Sequence, residues 1–184
     1  MVDRPGVIHS NRKDLNIYKQ EFAIATDKQT LAEALVDADV FIGVSGPGLM
    51  TPDMLCTMAN KPIVFALSNP IPEIMPEVAH RVRSDLIIAT GRSDYPNQVN
   101  NALCFPYIFR GALDVHASCI NEAMQMAAVH AIKDLVRESS STDAFQLGPD
   151  CLLPKLNDPR LKEKVSSAVA QAAIRSGVAR QIIL

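Results

Sequence analysis

Tryptophan is absent from this chain, and only 5% of its 184 residues are aromatic. A core without large rings must be aliphatic, with methionine filling its irregular spaces. An excess of one charge is lacking too. The formal net charge is −2, so no basic field recruits nucleic acid. No apolar run reaches the roughly 20 residues that span a bilayer. The opening Met1-Val2-Asp3-Arg4-Pro5-Gly6 lacks the apolar region of a signal peptide, so no membrane partner is expected. Cys56, Cys104, Cys119 and Cys151 show no zinc-finger or redox spacing. Cys56 and Cys104 lie in apolar patterns and read as buried thiols, which fits a reducing, cytoplasmic location. His9, His80, His116 and His130 are equally scattered and read as surface or capping residues.

What is present is an apolar content of 48%, enough for a sizeable core in one domain or one and a half. Three short apolar stretches read as buried parallel strands: 39–44, 62–67 and 86–90. Helical patterns separate them. Thr26 and Gln29 are placed to form a capping box ahead of an apolar face made by Leu31, Ala34, Leu35 and Ala38. Thr51-Pro52 opens a second helix, and Pro76–Val82 forms a third. Strands alternating with helices imply right-handed crossovers and a parallel sheet.

From Asn121 the pattern is helical throughout. Ala123, Met124, Ala127, Ala128, Ala131, Ile132 and Leu135 form one apolar stripe, with Met124 and Met126 read as core filler. Ser139–Thr142 marks a flexible break. Asp158 caps a last helix with Pro159 at its first position, ended by Ser176-Gly177. Its inner face carries Val165, Ala168, Val169, Ala172 and Ala173. The fold expected from these patterns is α/β, a parallel sheet with additional C-terminal helices.

The densest polar stretch is Arg92–Tyr107, which follows the third strand. It holds Asn97, Gln98, Asn100 and Asn101 with Arg92 and Asp94. Carboxamides this close together need hydrogen-bond partners if buried, and they suit a crevice that holds carboxylates or sugar hydroxyls. A polar loop using Asn in turns is the competing reading. Ligands of open α/β sheets bind at the carboxyl ends of strands, which favours a site. Ser68-Asn69-Pro70 ends the second strand, where proline biases Asn69 toward an extended backbone. Asn69 and Asn101 are thus expected to offer amides to one volume. Gly43-Val44-Ser45-Gly46-Pro47-Gly48 ends the first strand, where glycine permits close backbone approach. It is not the G-x-G-x-x-G fingerprint, and a tight turn explains it equally well. Asp94 could do proton chemistry or brace Arg92. The pairs Asp37/Asp39 and Glu73/Glu77 read as solvated faces, and no metal-ligand cluster stands out.

At these residues the sequence resembles the malic enzymes of the shorter bacterial and archaeal type. The resemblance rests on Asp3-Arg4 with Gly6-Val7-Ile8, on Phe41–Ser45, on Phe65–Glu73, on Thr90–Asn101, and on Phe105-Pro106 through Asp114. It implies oxidative decarboxylation of malate to pyruvate and carbon dioxide, with hydride passing to NAD or NADP and Mg or Mn polarising oxygens. By resemblance, Asn69 lies beside cofactor and substrate and Asn101 binds substrate. Asp3 would meet the adenosine ribose, or Arg4 instead a 2′-phosphate, which leaves NAD and NADP both open, and Gly43, Val44 and Ser45 would flank the dinucleotide.

The family's Tyr and Lys acid/base pair, its three carboxylate metal ligands and its Gly-rich phosphate loop find no counterpart in this chain. The resemblance thus implies a partial Rossmann-like, doubly wound parallel sheet, with 1–138 the truncated NAD(P)-binding part and 139–184 a linker and helical segment packing on it. An exposed apolar edge is therefore expected at 39–44, on a three-stranded half-sheet covered by a missing N-terminal part or by another chain. A homo-oligomer or such a pairing is expected. The chain alone is expected to be inactive, and a non-catalytic dinucleotide-binding or assembly module is the alternative.

Overall fold

The computed structural model describes residues 1–139 and 148–181. The chain forms two compact units, Met1–Gly91 and Arg92–Leu184.

The first unit is built on a three-stranded parallel sheet. Its strands are β3 (Val40–Gly43), β4 (Ile63–Ala66) and β5 (Ile87–Thr90), in the order β3-β4-β5. Val40 pairs with Ile63, and Ile63 pairs with Ile87. Helices α3 (Pro52–Cys56) and α4 (Pro76–Val82) make the two crossovers. Thr51 caps α3 by accepting from the Met54 N–H, with Pro52 just inside the helix, as its sequence suggests. One face of the sheet supplies Phe41, Val64, Ala66 and Ile88 to a core shared with Leu55 and Ala79. A buried side chain of the Leu or Phe class contributes roughly 1.5–3 kcal/mol. β3 buries Phe41 and Gly43 but exposes Val40 and Ile42, at 47% and 65%. That is the exposed apolar edge expected from the sequence.

One local reading changes. The capping box belongs to Thr30 and Glu33, not Thr26 and Gln29. The Glu33 carboxylate accepts from the N–H groups of Gln29 and Thr30, and Thr30 Oγ accepts from the Glu33 N–H. A carboxylate that satisfies two backbone donors outcompetes a neutral amide satisfying one. Helix α2 accordingly spans Leu31–Leu35. Val2–Asp3 (β1) pairs antiparallel with Gly6–Val7 (β2) as a separate hairpin. Gly6 has φ +135, and a side chain there would strike the Gln29 carbonyl. A short helix, α1 (Ile17–Gln20), follows the hairpin, capped by Asn16.

The second unit is helical: α5 (Phe105–Asp114), α6 (Glu122–Ser139) and α7 (Arg160–Arg175). Met124, Ala128 and Leu135 of α6 are buried with Val165, Val169, Ala172 and Ala173 of α7. Ala168 is half-buried, while Ala123 and Met126 are exposed. So only one methionine of that pair fills the core. Gly111 of α5 is buried, and a Cβ there would meet the Ser166 carbonyl and lie 2.8 Å from Val169 Cβ. Glycine thus lets α5 and α7 approach closely. Helix α7 starts one residue later than expected. Pro159 occupies the cap, and the Asp158 carboxylate accepts from the Arg160 N–H at 3.0 Å. Gly177, at φ +73, ends it as read. The break expected at Ser139–Thr142 lies, from residue 140 on, outside the described residues. Cys56 is exposed and Cys104 half-buried, so the reading of Cys56 as buried fails. It occupies the last turn of α3 with its side chain off the core-facing stripe that carries Leu55. Burial pushes the Cys104 thiol above its usual range.

Candidate functional site

The carboxyl ends of β3 and β4 are joined by one side chain. Glu73 is completely buried. Its carboxylate accepts from the Ser45 N–H at 2.9 Å and from the Ser68 N–H at 3.1 Å. The loop after β3 is fixed further by Gly48 N donating to Pro72 O and Met50 N donating to Glu73 O. Gly43 makes this possible, because a Cβ there would lie 2.5 Å from Glu73 Cδ and 2.8 Å from Phe41 Cε1. The glycine is therefore required by the carboxylate behind it. Reading Glu73 as part of a solvated face was wrong, although Glu77 is exposed. The signal was available. Glu73 sits between Ile71-Pro72 and Ile74-Met75-Pro76, and an acidic residue inside an apolar, proline-bounded run must find donors.

These bonds hold two loops in fixed positions relative to each other, with Val44 and Ser45 on one and Asn69 on the other. Val44 is 76% exposed, and Ser45 and Asn69 are exposed as well. The Asn69 side chain makes no hydrogen bond among the described residues, and the Asn69-Pro70 peptide is cis.

Asp3 lies in the β1–β2 hairpin. Its carboxylate is gripped by Arg12 at 2.7 Å and Lys19 at 2.6 Å. The Arg12 hydrogen bond foremost, aided by Lys19, lowers its pKa to about 2. A ribose hydroxyl would have to share this carboxylate with two cations. Arg4 is exposed. Asp3, Arg4, Gly43, Val44 and Ser45 all line one groove of about 830 Å³ in the first unit.

The amide-rich stretch opens the second unit, and its members divide sharply. Arg92 makes a two-pronged pair with Asp94, at 2.9 and 2.6 Å, and lies 5.4 Å from the centre of the Tyr95 ring. The Asp94 carboxyl is held below its usual range by that Arg92 hydrogen bond. Of the two roles weighed for Asp94, bracing is the one observed. Asn97 is buried at φ +55, donating to Pro149 O at 2.6 Å and accepting from the Leu152 N–H at 2.8 Å. Asn100 caps the 3-10 turn Asn101–Leu103 by accepting from the Ala102 N–H. Asn101 is exposed, with a side chain that makes no hydrogen bond among the described residues. Asn97 and Asn100 are structural, and Asn101 remains the carboxamide open to a ligand.

Among the described residues no group of three or more His, Cys, Asp or Glu is placed to hold a metal ion. No helix among them is long and apolar enough to cross a membrane.

The family model described as malic enzyme, NAD binding domain, matches residues 1–177. The NADP-dependent malic enzyme of Halomonas elongata is 60% identical over 98% of this chain, which spans 45% of that protein. In Rhizobium meliloti, an NADP-dependent malic enzyme is 50% identical and an NAD-dependent one 49%, and the chain spans 25% of each. The crystal structure of Entamoeba histolytica malic enzyme covers all of this chain at 37% identity with a TM-score of 0.88, over 38% of its own length. The chain thus spans from a quarter to under half of these relatives. With this match along nearly its whole length, the chain belongs to the malic enzyme NAD-binding domain family.

Proposed function

We propose that this chain is the NAD(P)-binding part of a malic enzyme, which oxidatively decarboxylates malate to pyruvate and carbon dioxide. The observation that carries the reading is the buried Glu73 carboxylate, which fixes the ends of two parallel strands and leaves Val44, Ser45 and Asn69 exposed on loops that cannot drift apart. Strand carboxyl ends of this kind are where open α/β sheets bind nucleotides. Val44, Ser45 and Asn69 would hold the nicotinamide end of the dinucleotide there, and the bound ring would supply the hydride acceptor for the hydroxyl-bearing carbon of malate.

The chain's own residues position the reactants. Val44 offers apolar surface to a flat ring. The Asn69 carboxamide can donate one hydrogen bond and accept another, which suits the nicotinamide amide and a malate oxygen. Asn101 binds the substrate carboxylate through its N–H groups. Arg4 is free to meet a phosphate and Asp3 a ribose hydroxyl, so NAD and NADP are both admitted. The described residues do not fit the Mg or Mn ion that the family's reaction implies, and no step is assigned to it. Its ligands would come from outside this chain. Four free cysteines support a cytoplasmic setting.

An enzymatic test separates this reading from a non-catalytic binding module. The chain alone is expected to give no NAD(P)-dependent pyruvate above background. In a complete enzyme carrying this domain, Asn101→Ala should raise KM for malate while leaving dinucleotide affinity unchanged. Equal loss of both, or of neither, contradicts the assignment.

A further inference from the structure

The loop that carries Asn101 is fastened at both ends, and a single side chain makes the first fastening. Asn97 is 7% exposed and has φ +55, a left-handed backbone that asparagine adopts more readily than most residues with a side chain. Its carboxamide donates to Pro149 O at 2.6 Å and accepts from the Leu152 N–H at 2.8 Å. Those partners lie in and just after a tight turn, closed by Cys151 N donating to Gly148 O at 3.0 Å. Beyond the turn, Leu153 and Leu156 pack against the core that α6 and α7 share.

The second fastening is Leu103, 5% exposed and buried in that same core. Only residues 98–102 lie between the two. Within that span Asn100 Oδ1 accepts from the Ala102 N–H at 2.9 Å, and Asn101 O accepts from the Cys104 N–H at 3.0 Å. Asn101 is therefore held by its backbone. Its carboxamide is exposed and makes no hydrogen bond among the described residues. A side chain with no bond of its own points where its backbone points it.

Anchoring a surface loop does not require a buried amide. An apolar side chain would anchor it without desolvating a polar group. What the two directional bonds add is a fixed position and rotation for the backbone that follows. A carboxamide can donate and accept at once, whereas a carboxylate only accepts. Glutamine would carry the same group one methylene further out.

We propose that Asn97 is a positioning residue for Asn101, with the Gly148–Leu152 segment as its anchor. The proposal rests on the assignment of Asn101 to the malate carboxylate. Without the clasp the loop stays attached at Leu103 and swings at its other end. A displacement of about 1 Å in a substrate-positioning group can cost about a hundredfold.

The test is a kinetic cycle in a complete malic enzyme carrying this domain. Asn97→Gly suits the left-handed backbone and removes both bonds. It should raise KM for malate about tenfold and leave KM for the dinucleotide within about twofold of the parent. Asn101→Ala should raise KM for malate by itself. Adding Asn97→Gly to it should change that KM by less than about twofold, because the residue being positioned is gone. Asn97→Asp supplies a rescue. Its carboxylate still accepts from Leu152 but faces Pro149 O without a proton to donate, and burial there favours the protonated form. The protonated carboxyl restores both bonds, so its KM for malate relative to the parent should fall as pH is lowered from about 8 to about 6. Should Asn97→Gly fail to fold, Asn97→Asp decides alone, and a ratio independent of pH overturns the proposal. A parental KM for malate in Asn97→Gly, equal losses for malate and dinucleotide, or effects of Asn97→Gly and Asn101→Ala that simply multiply also overturn it, and each leaves the Asn101 assignment standing. An Asn101→Ala enzyme with parental KM for malate overturns the assignment and the proposal together.

Discussion

Glu73→Gln is the sharpest perturbation of the site. The carboxylate accepts from two backbone donors, Ser45 N–H at 2.9 Å and Ser68 N–H at 3.1 Å, in a fully buried position. Glutamine keeps the size and one acceptor. Its NH₂ group then faces the other donor, which is left unpaired. A hydrogen bond to a charged group contributes about 1.5–3 kcal/mol, and that is the expected loss. With a urea dependence of about 2 kcal/mol per molar, the unfolding midpoint should fall by about 1 M. Glu73→Ala strands both donors and leaves a void, so it should cost at least about 3 kcal/mol. Circular dichroism during urea unfolding reads the midpoint. Amide hydrogen exchange reads the two donors directly, and Ser45 and Ser68 should exchange faster in the variant than in the parent. A Glu73→Gln midpoint within about 0.2 M of the parent, with unchanged exchange, refutes the bridging role.

Gly43→Ala forces a methyl group onto the same carboxylate and onto Phe41. It should destabilise by about 1–3 kcal/mol in a urea titration, and a neutral result would contradict the packing. Asn97→Ala removes the two bonds to Pro149 and Leu152 and should cost about 2 kcal/mol. Asn101→Ala should leave stability within about 0.5 kcal/mol, so similar losses for the two variants would erase the distinction drawn between them. Asp3 has a folded pKa lowered from the ordinary carboxylate range to about 2. Its contribution to stability is therefore complete above the unfolded value and is lost as pH falls through that window toward the folded one. Unfolding curves between pH 5 and pH 2 should show a steeper loss for the parent than for Asp3→Asn, and parallel curves would count against the ion pairs.

Strand and helix periodicity placed β3, β4 and β5 in the sequence to within a residue or so, because short apolar runs bounded by Pro and Asn admit few alternatives. Thr51-Pro52 and Ser176-Gly177 were legible for the same reason, each being a local steric signal. The misplaced capping box shows the limit. Thr26/Gln29 and Thr30/Glu33 share one spacing, and the choice falls to how many donors the acidic side chain reaches. Asn97 shows another. Nothing near it in sequence tells of Pro149 and Leu152, which it bonds across more than fifty residues. Glu73 was missed because an acid four residues from Glu77 resembles one face of an exposed helix. Its actual place is ahead of α4, behind Gly43.

A nitrogen-15 titration of the chain with NAD and with NADP, followed at the backbone amides, tests the strand-end site most directly. Saturable shifts at Val44, Ser45 and Asn69, with little change on α6 and α7, are expected for at least one of the two dinucleotides. Shifts confined to other residues, or none with either compound at millimolar concentration, would contradict a dinucleotide site at the ends of β3 and β4.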